Sequence, residues 1–149
     1  MMMNKLKLYL DDQRTPKEEE WIVVRNYDEF VEQILKHGID GFDIISLDHD
    51  LGDTAMDEYY NNVKDNYTIN YDNIKEKTGL DCAKWLITHY LEKYDPYEKN
   101  HKFVFPTVYV HSANPIGAHN IMGYVNNFYK NVHQQQTCIR VRIPHTVNY

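Results

Sequence analysis

Apolar positions along the chain fall into two alternating kinds of run. "LKLYL" (6–10), "WIVVRNY" (21–27), "FDIISL" (42–47), "FPTVYVHSAN" (105–114) and "TCIRVRI" (137–143) are short, rich in β-branched or aromatic residues, and bounded by polar ones, which predicts strands. "YDEFVEQILKHG" places Phe30, Val31, Ile34 and Leu35 on one face at helical spacing, with Asp28 able to cap its start and Gly38 where a helix-ending glycine belongs. "TGLDCAKWLITHYLEK" (78–93) predicts a second helix with Ala83, Trp85, Leu86, Tyr90 and Leu91 on its core face. Thr78 and Asp81 there form a variant capping box, so Asp81 reads as a cap partner rather than a catalytic group. "PIGAHNIMGYVNNFYKNV" predicts a third helix with Pro115 near its first turn. "QRTPKEEE" reads as a solvated loop, and Pro144 stops the last strand, whose alternation suits a sheet edge. Residues 53–77 are polar, show little apolar periodicity and read as a long loop, a feature that in compact domains is usually functional or mobile.

The order is β-β-α-β-α-β-α-β within 149 residues, which suits one domain spanning 1–149 with a polar insertion at 53–77. Strands alternating with helices predict an α/β fold, a mostly parallel five-stranded sheet in a three-layer sandwich with helices on both faces. The apolar continuity of "FDIISL" fits a strand covered on both sides. Ligands in such folds sit beyond the carboxyl ends of the strands. Asp11 and Asp12 end the first strand, Asp48, His49 and Asp50 the third, and His111, Ser112 and Asn114 the fourth. All three clusters should therefore meet on one edge of the sheet.

A net charge of −6 argues against long duplex nucleic acid as a partner, because such proteins carry basic stripes. A small phosphorylated ligand needs only a local pocket and stays open. No apolar run approaches a membrane span and the start lacks a secretory pattern, so a cytoplasmic protein with no membrane partner is expected. Cys82 and Cys138 lack zinc-like spacing and read as reduced thiols. Several of the thirteen tyrosines lie in "YYNNVKDNYTINY" (59–71). Compositional bias is the plainer reading and a base-stacking surface the sharper one.

Clustered carboxylates repel, so this site calls for a cation. Asp11, Asp12 and Asp48 supply hard oxygens suited to Mg²⁺ or Mn²⁺, and a contribution from His49 or His111 would favour Mn²⁺ or another transition metal. Taken singly, a strand-end Asp more often makes a cap or turn; three clusters at one edge reverse that preference. His49, His111 or His119, one turn into the next helix, can move protons near neutral pH. His37, His89, His101, His133 and His145 lie in polar settings and read as surface residues. Ser112, Asn114 and the amides opening the following helix form a candidate anion site. Arg14 suits a phosphate clamp, with a surface arginine equally open from position alone.

An acidic pair after strand one, an Asp after strand three and a Ser after strand four resemble the receiver domain of two-component signalling, which implies a flavodoxin-like, receiver-like fold. The chain departs from it in having no helix of normal length between its first two strands, no lysine in "CIRVRI", and a D-H-D triplet. "LYLDDQRTP", "ISLDHDLG", "TGLDCAKWL" and "VHSANPIGAHNIMGYV" together resemble the cyclic-phosphate-processing receiver-like family, whose domains occur in bacteria and their phages. The resemblance implies action on a cyclic phosphate of a nucleotide, a cyclic oligonucleotide or an RNA end, in RNA processing, signalling or phage counter-defence, in the host cytoplasm if phage-encoded. The expected enzyme is a metal-assisted phosphodiesterase with Asp11, Asp12 and Asp48 on the metal and His49 as acid or base oriented by Asp50. His111, Arg14, Ser112, Asn114 and His119 would then handle phosphate. A sequestering cyclic-nucleotide-binding module and a phosphoacceptor receiver are the alternatives, and oligomeric state is left open.

Overall fold

The computed structural model describes residues 5–18, 20–95, 104–142 and 146–147. The chain runs β1 (Leu6–Leu10), β2 (Thr15–Pro16), β3 (Trp21–Val24), α1 (Tyr27–His37), β4 (Phe42–Leu47), α2 (Asp53–Glu58), a π-helical turn (Tyr59–Val63), α3 (Lys64–Asn66), α4 (Gly79–Lys93), β5 (Thr107–Val110), α5 (Pro115–Asn131), β6 (Ile139–Arg140) and β7 (Thr146–Val147). Five strands form one all-parallel sheet in the order β3-β1-β4-β5-β6, the sheet expected of a receiver-like α/β fold. In addition β2, inside the segment read as a loop, pairs antiparallel with β7.

Strand order dictates where the long helices go. The steps β3 to β4, β4 to β5 and β5 to β6 all run the same way across the sheet. Right-handed crossovers therefore lay α1, α4 and α5 on one face. The core agrees: Leu8, Leu10, Val24, Ile45, Leu47, Val108 and Val110 from the sheet pack with Phe30 and Ile34 of α1, Leu86 and Ile87 of α4, and Ile121 and Val125 of α5. Only the step from β1 to β3 runs the other way, and its connection is too short for a helix. Among the described residues no helix covers the opposite face, where Trp21, Val23, Ile44 and Tyr109 are half-buried.

Several boundaries differ from the pattern for local reasons. Asn26, not Asp28, caps α1, accepting from the Glu29 N–H at 2.9 Å while the Glu29 carboxylate accepts from the Arg25 N–H at 3.1 Å. Gly38 ends that helix at φ +80°, a conformation only glycine adopts without strain. Leu35 (59% exposed) and Leu91 (44%) leave the core, each about 100° round its helix from the buried Ile34 and Tyr90. Of the strand anticipated over 137–143, β6 keeps Ile139–Arg140 among the described residues, and it starts late because the Asn126 carboxamide captures both backbone groups of Cys138, at 2.7 and 3.1 Å. Pro144 lies outside the described residues. Both cysteines are buried free thiols, in line with the reduced reading.

Residues 53–77 are helical over much of their length rather than a loop, organised by a polar hub. Glu58 is 3% exposed and accepts from the Asn70 N–H at 2.8 Å, Asn73 Nδ2 at 2.8 Å and Asn62 Nδ2 at 2.9 and 3.0 Å. Burial pushes this carboxyl up, but those donors outweigh it and hold it below the usual range. A carboxylate so depressed stabilises the fold above its unfolded pKa, roughly 4.3, and loses that contribution as pH falls through the lower folded value. Acidification is thus expected to open residues 58–73 before the core. Glu58→Gln, whose amide would confront donors, should weaken the segment at neutral pH by about 1–3 kcal/mol. Amide hydrogen exchange reads both effects; equal protection of segment and core in the variant would contradict them.

Candidate functional site

Backbone hydrogen bonds carry the sheet one residue past its strands and align their polar ends. Asp11 N–H reaches Val24 O at 3.1 Å, Asp48 N–H reaches Leu10 O at 2.9 Å, and His111 N–H reaches Leu47 O at 2.9 Å. The three clusters therefore meet on the carboxyl edge, as the strand order requires. They border a cavity of about 240 Å³ lined by seven of the predicted residues, namely Asp11, Asp12, Arg14, Asp48, Asp50, Ser112 and Asn114.

Oxygens of Asp11, Asp12 and Asp48 lie within 4.8 Å of one another. Asp11 Oδ1 accepts from the Gln13 and Arg14 N–H groups at 2.9 and 2.8 Å; Oδ2 accepts from Arg14 Nε at 2.8 Å and faces His111 Nε2 at 3.3 Å. Burial raises the Asp11 carboxyl, and these donors more than reverse that, so it sits below its ordinary value. Asp48 is pushed up, by burial first and then by the Asp11 charge, against the pull of Arg14. Asp12, half-buried, is pushed up to about 6 by burial and the Asp11 charge. Arg14 also donates to Asp48 Oδ2 at 3.3 Å, so its guanidinium spans two acids rather than standing free as a phosphate clamp. A buried cluster of hard oxygens whose charges strain one another fits a divalent cation, with Arg14 as partial countercharge.

The histidines take places the sequence did not anticipate. His49 is fully buried and does not line the cavity: Nδ1 lies 2.6 Å from Asp50 Oδ1 and Nε2 lies 3.0 Å from Tyr71 Oη. Asn120 Nδ2 donates to that Tyr71 oxygen at 3.0 Å, so a directed chain runs Asn120, Tyr71, His49, Asp50. Asp50, not His49, ends at the cavity, and Asn114 Nδ2 steadies it at 3.2 and 3.3 Å. Asn114 also caps α5, accepting from the Gly117 N–H at 2.9 Å. His111 is likewise fully buried, stacked on Tyr9 at 4.2 Å, with Nδ1 2.7 Å from Ser46 Oγ. Burial lowers its pKa although Asp11 opposes this, which favours a neutral ring donating from Nε2 to Asp11. His119 is exposed on α5 and lines no part of the cavity. His37 and His133 are exposed and His89 stacks on Trp85, while His101 and His145 lie outside the described residues.

Two glycines hold the triplet in place. A Cβ on Gly79 would meet the Asp48 carbonyl oxygen at 1.8 Å, and the Gly79 N–H donates to His49 O at 2.9 Å. A Cβ on Gly117 would meet His49 Cγ at 2.3 Å. Thr78 and Asp81 form the expected cap beside this contact, with Thr78 N–H 2.8 Å from Asp81 Oδ2. Sequence reasoning missed Gln13, Met56 and Ala113 on the cavity wall, and read Tyr59 and Tyr60, which also line it, first as compositional bias.

Comparison with known families gives a match to the cyclic-phosphate processing receiver domain over residues 6–127. No curated protein and no solved structure matches the chain. Among the described residues no helix is long and apolar enough to cross a membrane.

Proposed function

The chain belongs to the family of cyclic-phosphate processing receiver domains, and from that premise we propose that it opens a cyclic phosphate on a nucleotide, a cyclic oligonucleotide or an RNA end. Supporting this reading is one observation: an acidic cavity at the carboxyl edge of the sheet with Asp50 on its wall. A cyclic phosphate is an anion, and four carboxylates with one arginine would repel it. Asp11, Asp12 and Asp48 would therefore hold a divalent cation, Mg²⁺ or Mn²⁺, as the ligand's counterpart. When bound, that cation would polarise the phosphate and favour an ionised water near neutral pH.

The chain's own residues divide the remaining work. Asp50, on the cavity wall, would accept a proton from the attacking water, and the sugar oxygen released as its P–O bond breaks would take one from solvent, while His49 and Asn114 orient Asp50. His49 is thus a positioning residue, the reverse of the arrangement expected from sequence. His111 and the Gln13 and Arg14 amides keep Asp11 ionised. Ser112 would offer a donor on the cavity wall to the phosphate oxygens, while Arg14, held by Asp11 and Asp48, would supply countercharge. A sequestering module is the second reading, favoured by the burial of His49 and His111 away from the cavity.

Incubating the protein with 2′,3′-cyclic and 3′,5′-cyclic nucleotides and cyclic oligonucleotides, with and without divalent cation, separates the two. Cation-dependent appearance of a phosphomonoester supports catalysis. Tight cation-dependent binding with the nucleotide recovered unchanged supports sequestration. Neither binding nor turnover by folded protein would overturn both.

A further inference from the structure

Ser112 and Ala113 line a second cavity, of about 380 Å³, whose remaining walls are Arg140, Val141 and Arg142. It lies on the same carboxyl edge, because β6 is parallel to β5 with Arg140 level with Val110, and the Val141 N–H continues the ladder to Val110 O at 2.7 Å. The Arg140 guanidinium donates twice to the Ser112 carbonyl, from Nε at 3.1 Å and Nη2 at 2.9 Å, which ties it to the shared wall and leaves Nη1 uncommitted. Arg142 is exposed, and alternation along the chain suits it to the same side. Among the described residues neither arginine pairs with a carboxylate, in a chain of net charge −6. Both lie beyond the family match, which ends at residue 127.

We propose that Arg140 and Arg142 form a second phosphate subsite, so that the ligand of the acidic cavity is a dinucleotide or longer, carrying at least two phosphates, rather than a mononucleotide. This rests on the cyclic-phosphate reading of the first cavity and narrows its substrate class. Two cavities sharing Ser112 and Ala113 suit two phosphates of one ligand, the cyclic one at the acids and a diester at the arginines. Guanidinium forks match phosphate oxygens. Tyr59 and Tyr60, with ring centroids 5.3 Å apart and Tyr60 58% exposed, give the first cavity an aromatic wall on which a base can stack.

The test is equilibrium binding by the full chain, in Mg²⁺ or Mn²⁺, of three probes: 2′,3′-cyclic AMP, cyclic di-AMP, and a diadenylate ending in a 2′,3′-cyclic phosphate. One of the two larger probes should bind roughly tenfold or more tighter than the mononucleotide, and which one gains tells a cyclic ligand from an RNA end. That ratio should fall towards one in R140Q/R142Q and part of the way in R142Q, whose side chain has no partner to lose among the described residues. The affinity of the favoured probe should also lose part of its salt dependence with each arginine removed. Equal binding of all three probes, or a ratio that survives both substitutions, would overturn the subsite while leaving the cyclic-phosphate reading intact. Absence of binding by every probe would overturn both.

Discussion

Asp48→Asn is expected to weaken divalent-cation binding by about 100-fold or more, roughly 2.7 kcal/mol, and to abolish cation-dependent handling of cyclic phosphate, with little change in the melting temperature. The two readouts part because the buried Asp48 carboxylate is itself a strain on the fold. Its pKa is raised by burial and by the charge of Asp11, so ionising it near neutral pH opposes folding. Asparagine keeps the shape and removes the repulsion, which offsets the loss of one of two accepting oxygens: Oδ1 now takes the His49 N–H at 2.8 Å and Oδ2 the Arg14 guanidinium at 3.3 Å. Calorimetric titration with Mn²⁺ and thermal melting of the same preparation check both halves. A variant that melts lower yet keeps its cation affinity would make Asp48 a structural residue and contradict the assignment.

Gly79→Ala is expected to destabilise the protein by about 3 kcal/mol or more, at the upper end of overpacking effects. The obstacle is a backbone carbonyl, that of Asp48, 1.8 Å from the new methyl, so no rotamer change relieves it. Either α4 retreats and gives up the hydrogen bond from Gly79 N–H to His49 O, or the Asp48–His49–Asp50 segment shifts out of the cavity. Gly117→Ala presses the same segment from the other side, against an imidazole pinned between Asp50 and Tyr71. Gly123→Ala is the control: nothing lies within 4 Å of its Cβ, and mid-helix alanine should stabilise α5 by about 0.5–1 kcal/mol. Urea unfolding ranks the three variants, and Gly79→Ala unfolding like the parent would contradict the close approach.

These glycines show what could be read from the chain and what could not. Strand ends were legible, because a short apolar run closing on Asp11–Asp12 or Asp48–His49–Asp50 marks both an element and an edge. The glycines in "TGLD" and "PIGAHN" carried no visible reason, since the contact each permits is with a segment distant in sequence. The division of labour inside the triplet was legible in principle. Carrying the alternation of β4 past its last residue would put Asp48 and Asp50 on one side and His49 on the other, as the cavity lining has them. Residues 53–77 escaped because apolar periodicity has nothing to register there: the segment is held by Glu58, and by Glu76, which accepts from the Ala55 N–H at 2.6 Å. Among the described residues that face lacks a helix because a ten-residue step joins β1 to β3, too short for the helix a receiver domain would place there.

Phosphate is expected to reach this cavity through a cation held by the aspartates. The most direct measurement is ³¹P NMR of 2′,3′-cyclic AMP with the protein and substoichiometric Mn²⁺. Paramagnetic broadening of the phosphorus line well beyond that from free Mn²⁺, absent with Asp48→Asn and after chelation, is the predicted result. A nucleotide that binds equally well in chelator, with a line that Mn²⁺ leaves sharp, would contradict it.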